Sequence, residues 1–545
     1  MKFKIVLLAV AATGLFAAHT CAQSYAITNA KIVTVSGPTI ESGTVVVRDG
    51  LIAAVGADVK APADAQVFDG SGMTVYPGFV DTLTNVGIQA RTTAVTPGVA
   101  AAQPAAPQAN SNYPVGLRPE LIATDDLRGG DAQFESVRSA GFTTVVTVGR
   151  TGIFNGRSVI INLAGENVSG MIVKSPFAEH VSFTTLGGGT YPGSLLGTFS
   201  ALRQMFLDAQ RLQEIQKMYA ANPRGMKRPD ADASLEALFP VINREVPIVF
   251  NANREIEIVR ALDFAKEFNL KAMIGGGQEA WKVTDRLKAQ DVPVLLSLNF
   301  PKRTAAASPD ADPENMDLLR FRAETPKTAA KLQQAGVKFA FQSGGATTLA
   351  DFFSNAGKAV ENGLSRDAAI RSMTLGSAEI LGVSDRLGSI ETGKIANLAL
   401  VKGDLFGKDR FVSQVFIDGR PFEQKPPTAS TGTGAGRPPT TSPSTLARVG
   451  GNYSITIEVP GQQLTGTMAL TQQGGTITGS LQTQLGTSPI KDGKVTAEGF
   501  TFGATVEFGG TQVEIHVKGT VTGNSVTGTI DSPQGTVPFS GTRNP

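Results

Sequence analysis

The sequence predicts an α/β protein: a (β/α)8 TIM-like barrel, a composite small β-sandwich built from both ends of the barrel region, and a separate C-terminal all-β domain. Three observations predict it. Short alternating strands fill residues 25–73 and resume at 388–423. Between them, apolar runs alternate with helical patterns. Beyond a Pro/Thr/Gly-rich stretch at 424–446, alternating strands with glycine turns occupy 448–545. A chain of 545 residues is too long for one ordinary core. With 41% hydrophobic and 18% charged residues its composition is globular.

The N-terminus carries a different pattern. Lys2 and Lys4 precede an apolar run from Ile5 to Ala18, and Thr20-Cys21-Ala22 supplies small residues for cleavage. Residues 1–22 therefore read as a signal peptide, which places the protein in a secreted or periplasmic setting. A lipoprotein reading of Cys21 is the alternative. It fits less well, because Thr20 and Ala18 stand where other residues are usual. Cleavage after Ala22 removes two of the 49 basic residues and none of the 47 acidic ones, leaving 47 of each. That balance argues against nucleic acid as a partner. No run has the length of a transmembrane helix. Cleavage also removes the only cysteine and His19, leaving His180 and His516 as the histidines.

In the first β unit, Ala30–Val35, Thr44–Arg48 and Leu51–Val55 are strands punctuated by Asp49-Gly50 and Asp69-Gly70. The barrel spans 74–387. Thr143–Val148, Pro247–Phe250, Ala272–Ile274, Pro293–Leu298 and Val337–Phe341 read as buried parallel strands. Ile258, Ala261, Leu262 and Ala265 mark a helix face, and Thr325-Pro326 to Gly336 brackets another helix. A doubly wound sheet is the runner-up, weakened by the lack of a Gly-x-Gly-x-x-Gly between strand and helix. Residues 91–114, rich in Ala, Pro, Thr and Gln, read as a mobile insert after the first barrel strand, and 424–446 as a linker. In the last domain, strands are expected at Asn452–Val459, Leu464–Gln472, Gly475–Gln484, Lys494–Phe502, Ala504–Phe508, Thr511–Val517 and Ser525–Ile530, forming a small meander barrel or sandwich.

The stretches "NAKIVTVSGPTIESGTVVVRDGLIAAVG", "MTVYPGFVD" and "MTLGSAEILGVSDRLGSIETGKIANLALVKGD" together resemble the amidohydrolase superfamily, with secreted relatives of imidazolonepropionase as the nearest branch. The resemblance covers residues 25–423. It implies a barrel flanked by a composite sandwich and a divalent metal, such as zinc, at the C-terminal mouth. Such a metal makes hydroxide available near neutral pH for attack at a C–N carbonyl. It also implies ligand places: two histidines after strand one, a lysine or acid on strand four, a histidine after each of strands five and six, and an aspartate after strand eight.

At those places this sequence has Leu83 and Asn85, then Asn251, then Gly276 or a neighbouring glycine, then Gly344. Leucine and glycine offer no side-chain donor, and an amide oxygen is a poor zinc ligand beside imidazole. The barrel region contains one histidine, His180, so no realignment restores the set. No bound cofactor is expected on this reading, and zinc or another divalent metal only if the protein is an active hydrolase. Asp81 survives, in a supporting role at the strand end.

His180 is either a relic of the strand-four group or a packed histidine. Lys174 is either the counterpart of the bridging lysine or a solvated one. The polar residues Asn251, Asn253, Arg254, Gln278 and Glu279 follow strands five and six, where barrel residues face the mouth. They form either a binding pocket for a small molecule or peptide or a set of mutually satisfied amides. Asp81, Asn85, Asn251, Arg254 and Glu279 are the candidate pocket. Trp281 reads as helix packing and His516 as an exposed strand residue. No Gly-x-Ser-x-Gly elbow or phosphate-loop lysine is present, and no strand end offers a clear carboxylate pair.

Three functions are open. The leading one is a secreted amidohydrolase-like protein without catalytic metal, acting as a binding or partner subunit, for example beside a metal-competent paralogous subunit. The second is an active hydrolase of peptide or non-peptide C–N bonds. The third is an envelope-binding protein acting through the C-terminal β domain.

Overall fold

The structure is a computed structural model. It describes residues 24–88, 113, 116–131, 133–165, 167–186, 191–303, 315–345, 349, 351–424, 447, 449–459, 462–483, 486–495, 499–508, 511–522, 525–532 and 535–543. The expected signal peptide (1–22), all of the expected insert 91–114 but residue 113, and all of the expected linker 424–446 but Gln424 lie outside the described residues. The chain divides into two compact units with the boundary at Thr428.

The first unit joins both ends of its sequence in one eight-stranded sheet. The order is Arg420–Glu423, Phe411–Ile417, Leu398–Lys402, Met73–Pro77, Tyr25–Ile32, Ile40–Arg48 and Leu51–Gly56, with Gln66–Asp69 also paired to Tyr25–Ile32. The seam is the antiparallel pairing of Leu398–Lys402 with Met73–Pro77. It is a single hydrogen-bonded sheet that curls back on itself, bringing the Tyr25 and Phe416 rings, three strands apart, to 5.7 Å. Tyr25, Ile27, Val45, Val75, Leu398 and Phe416 form its core.

The same Met73–Pro77 strand runs into the barrel. Gly78 makes the joint possible, because a Cβ there would stand 2.1 Å from Thr143 Oγ1. Asn397 pins the joint. Its carboxamide donates to Thr144 Oγ1 at 3.1 Å and to Asn162 Oδ1 at 3.0 Å, and it accepts the Asp418 amide at 2.8 Å.

Eight strand positions ring the barrel. Phe79–Thr84 pairs in parallel with Phe142–Thr147. Glu179–Ser182, Ile248–Ala252, Ala272–Gly276, Val294–Ser297 and Phe339–Gln342 form a second parallel run. The third position departs from the expected (β/α)8 pattern. Phe154–Arg157 and Val159–Asn162, separated by Ser158, run antiparallel to both neighbours. They return from Phe142–Thr147 as a hairpin with no crossover helix between, and a hairpin return must be antiparallel. Between strand eight and strand one the joining bonds include Thr82 Oγ1 to the Phe341 carbonyl, 2.9 Å, and the Gly344 amide to the Leu83 carbonyl, 3.2 Å.

Val80, Val146, Ile160, Val249, Met273, Leu295 and Ala340, each from a different strand position, pack together in the lumen. His180 supplies the remaining position, in register with Val249. The outer faces pack against helices such as Leu195–Ala221 and Glu255–Glu267 through Phe206, Phe250, Leu262 and Phe264. The helix expected over 325–336 is a 3-10 turn, Thr325–Lys327, followed by Thr328–Ala335. Gly336 ends it in the left-handed conformation, φ 71°.

The second unit is an all-β barrel. Nine strands are present among its described residues, and eight close into an antiparallel ring. Gly451–Val459 pairs with both Gln462–Gln473 and Gly535–Arg543, which seals it. Gly486–Pro489 pairs with Thr476–Thr483 outside the ring path. Two expected strands on either side of Gly503 are one, Phe500–Phe508. Tyr453, Met468, Phe500, Val517, Val526 and Phe539 fill the interior. His516 is exposed on its strand. Among the described residues no helix is long and apolar enough to cross a membrane.

Candidate functional site at the barrel mouth

The strand ends at the C-terminal side of the barrel bring together three groups of polar residues. The first lies between strands one and eight. Asp81 is fully buried; its Oδ1 accepts the Ser343 amide at 2.9 Å and the Leu83 amide at 3.3 Å, and its other oxygen accepts the Ser343 hydroxyl. Burial raises the Asp81 carboxyl to about 6, although the Ser343 bonds pull it the other way. Just beyond, Gly345 has φ +143°. A Cβ there would meet Arg150 Nη2 at 2.7 Å and Asn85 Oδ1 at 2.8 Å, so the guanidinium and the carboxamide both lie against this glycine.

The second group is an amide and hydroxyl network on strands three to five. Asn251 Nδ2 donates to Asn155 Oδ1 and to Ser182 Oγ, both at 3.1 Å. The Ser182 hydroxyl donates to Asn155 Oδ1 at 2.7 Å. Asn251 Oδ1 is buried without a partner. It lies over Gly275, where a Cβ would be 2.5 Å from it and 3.4 Å from Leu83 Cδ2. Gly276, φ +94°, has the Asn253 side chain over it in the same way, 2.4 Å from an added Cβ.

The third group caps the Glu255–Glu267 helix. Glu257 accepts the amides of Asn253 and Arg254 at 2.9 and 3.0 Å. Glu279 accepts the Glu255 amide at 2.8 Å and Lys282 Nζ at 3.1 Å. Burial works against the Glu279 carboxylate, but these donors together hold it below the usual carboxylate range. The Arg254 guanidinium lies 3.9 Å from the Phe321 ring centre and reaches Glu279 only at 3.5 Å. Arg254 and Glu279 are thus engaged in helix capping and ring stacking. Free helix amides at an N-terminus need acceptors, and these carboxylates supply them.

Asp81 and Asn85 share the strand-one and strand-eight corner, and Asn251 stands apart from them with Asn155 and Ser182. Gly344, φ +77°, carries backbone only and donates to Leu83. Gln278 donates to the Asn299 carbonyl at 2.6 Å. The Trp281 ring packs against Lys331, whose ammonium is 3.5 Å from the ring centre. His180 donates to or accepts from Ser158 Oγ at 2.9 Å within the lumen layer, and burial lowers it to about 3. It is a packing histidine. Lys174 lies at the opposite end of the barrel, its ammonium 3.3 Å from the Leu381 carbonyl. Arg150, Asn155 and Ser182 were not singled out by sequence; the polar run "GRTGIFNGRS" held two of them, but a glycine-rich loop does not reveal which strand end it will cover.

These residues do not fit a catalytic divalent metal. At strands one, five and six the side chains over the Gly275 and Gly276 backbone are Leu83, Asn251 and Asn253, none of them an imidazole or carboxylate. Among the described residues no group of three or more His, Cys, Asp or Glu side chains could hold a metal ion. What the mouth offers instead, among the described residues, is neutral amide and hydroxyl groups, the buried Asp81, Arg150, and the charged capping cluster of Arg254, Glu257, Glu279 and Lys282.

The fold and the sequence point to the same class. Residues 317–422 match the model of the amidohydrolase family. The first unit folds like an amidohydrolase from Thermotoga maritima MSB8, with a TM-score of 0.61 at 24% identity over 73% of this chain and 100% of that one. Among curated proteins, the enamidase of Eubacterium barkeri is 43% identical over 60 residues, 10% of this chain and 16% of that protein. The amidohydrolase tasK of Hapsidospora irregularis is 24% identical over 411 residues, 69% of this chain and 39% of that protein. The chain therefore spans well under half the length of either relative. It carries an amidohydrolase-type barrel, followed in the sequence by a separate eight-stranded β-barrel.

Proposed function

We propose that this is a secreted amidohydrolase-like protein that does not use a catalytic metal and acts as a binding or partner subunit. The observation that carries the reading is that the side chains over Gly275 and Gly276 are Leu83, Asn251 and Asn253, none of which is a good ligand for a catalytic divalent metal. A histidine imidazole cannot be recruited from elsewhere in the first unit, because its single described histidine, His180, is locked in the lumen layer. The polar mouth suits a small molecule or peptide that exchanges hydrogen bonds with neutral amides. A metal-competent paralogous subunit would supply hydrolysis where the pair acts on one substrate. The proposed export rests on residues 1–22.

The test is metal analysis of the full chain after incubation with zinc, manganese or iron, together with an assay of amide and dipeptide hydrolysis. The reading predicts metal well below one equivalent and no chelator-sensitive hydrolysis. Equimolar metal, with hydrolysis lost on chelation, would favour the active hydrolase of C–N bonds, the activity class that the names of the two curated relatives suggest.

A further inference from the structure

The end of the barrel opposite the mouth has an opening that the amidohydrolase reading leaves unused. A cavity of about 810 Å³ lies against the starts of strands four to eight, with Phe177, Met273 and Phe339 among its walls. That volume is in the range of small-molecule sites. Its charge is uneven. Lys174, Arg244, Lys271, Lys338 and Arg371 line it against Glu245, Asp291 and Glu379. Lys338 is engaged by Asp291 at 2.9 Å and Arg371 by Glu379 at 2.6 Å. Arg244 is spent on Asn269, bonding its carbonyl and its side-chain oxygen at 3.0 and 2.7 Å.

Lys174 and Lys271 remain. Among the described residues neither forms an ion pair. Burial, then Lys271 and Arg386, push the Lys174 ammonium below its ordinary range, with Asp385 opposing weakly. Like charges facing one cavity disfavour each other until an anion enters between them. Part-exposed apolar side chains, Phe339 and Ile380, also line the cavity, and the Lys174 ammonium is 5.5 Å from the buried Phe177 ring centre.

We propose that this opening binds a small organic anion, its apolar body against Phe339 and Ile380 and its charged group between Lys174 and Lys271. A carboxylate with a short alkyl chain has the required chemistry, and an uncharged alcohol of the same length lacks the anion.

The experiment is calorimetric titration of the full chain with octanoate, octan-1-ol and inorganic phosphate. Saturable octanoate binding near one equivalent is expected, with binding of octan-1-ol and of phosphate each weaker by about tenfold or more. Lys271→Met, which breaks no hydrogen bond seen among the described residues, should weaken octanoate by about tenfold. Lys174→Met should do the same, with its melting temperature recorded because Lys174 also caps Leu381. Octanoate binding that survives Lys271→Met unchanged, or octan-1-ol binding as tightly as octanoate, would overturn the proposal.

Discussion

The Ser343 amide donates to Asp81 Oδ1 at 2.9 Å while the Ser343 hydroxyl bonds the other carboxylate oxygen, so one side chain ties strand eight to strand one. This matters because the two strands share few backbone bonds at the place where the ring closes. Both residues are buried. Ser343→Ala should therefore cost about 1–3 kcal/mol, since it strips one donor from a buried carboxylate. Urea unfolding followed by circular dichroism measures it. A change under about 0.5 kcal/mol would remove the latch from the account.

Arg254 and Glu279 divide differently from what their strand-end positions suggest. The Arg254 side chain is about half exposed and gives up only a ring contact and a long ion pair. Arg254→Ala should cost less than about 1 kcal/mol. Glu279 is mostly covered and caps a helix amide, so Glu279→Ala should cost about 1–2 kcal/mol. Thermal melts of the two variants should keep that order; the reverse order would return Arg254 to a buried role.

The end motifs make the sheet legible in the sequence. "MTVYPGFVD" and "IANLALVKGD" hold the strands that form its seam, because both alternate toward one core through Val75, Leu398 and Leu400. The ligand corner was legible by position for Leu83, Asn251 and the glycines after Ile274. Direction was not. "FNGRSVIIN" has the apolar character of a buried parallel strand, and residue type carries no sign of which way a strand runs. The capping contacts of Arg254 and Glu279 are not legible in sequence, because a residue just past a barrel strand also stands at the start of the next helix. The strand Gly535–Arg543 that seals the C-terminal ring was passed over, and it contains Pro538, a residue that lowers any strand pattern.

Glu179 was also missed, since one acid in "FAEHVSF" gives no hint of burial. It alternates with His180 and shares a face with Val181, which packs into the core beneath the helices. Both carboxyl oxygens are buried with no side-chain donor. Burial raises it well above the usual range; Arg157 opposes this and Glu120 adds to it. A folded-state value above the unfolded one means that Glu179 contributes its full stability below about pH 4.5 and loses it as pH rises toward its folded value. Glu179→Gln should match the parent near pH 4. Above that it should gain on it by about 1.4 kcal/mol per pH unit until the folded value is passed. Parallel chemical denaturation at pH 4, 6 and 8 reads the divergence, and parallel curves would show that the acid is ionised or solvated in the folded chain.

His180 drives the opposite dependence. Its ring sits in the lumen layer beside Val249 and touches Ser158 Oγ, while its Nδ1 is buried without a partner. Burial lowers it from 6.5 to about 3, so the folded chain keeps the imidazole neutral where the unfolded chain protonates it. The stability this contributes is complete above about pH 6.5 and drains away as pH falls toward 3, a swing on the order of 5 kcal/mol at its limit. His180→Asn removes the titrating group but keeps a donor near Ser158. The variant should be less stable than the parent at pH 7.5, by about 1–3 kcal/mol for the smaller side chain in a packed layer. It should also lose less between pH 7.5 and pH 4. An identical acid loss in parent and variant would mean that His180 does not carry the acid sensitivity, and that some other buried group does.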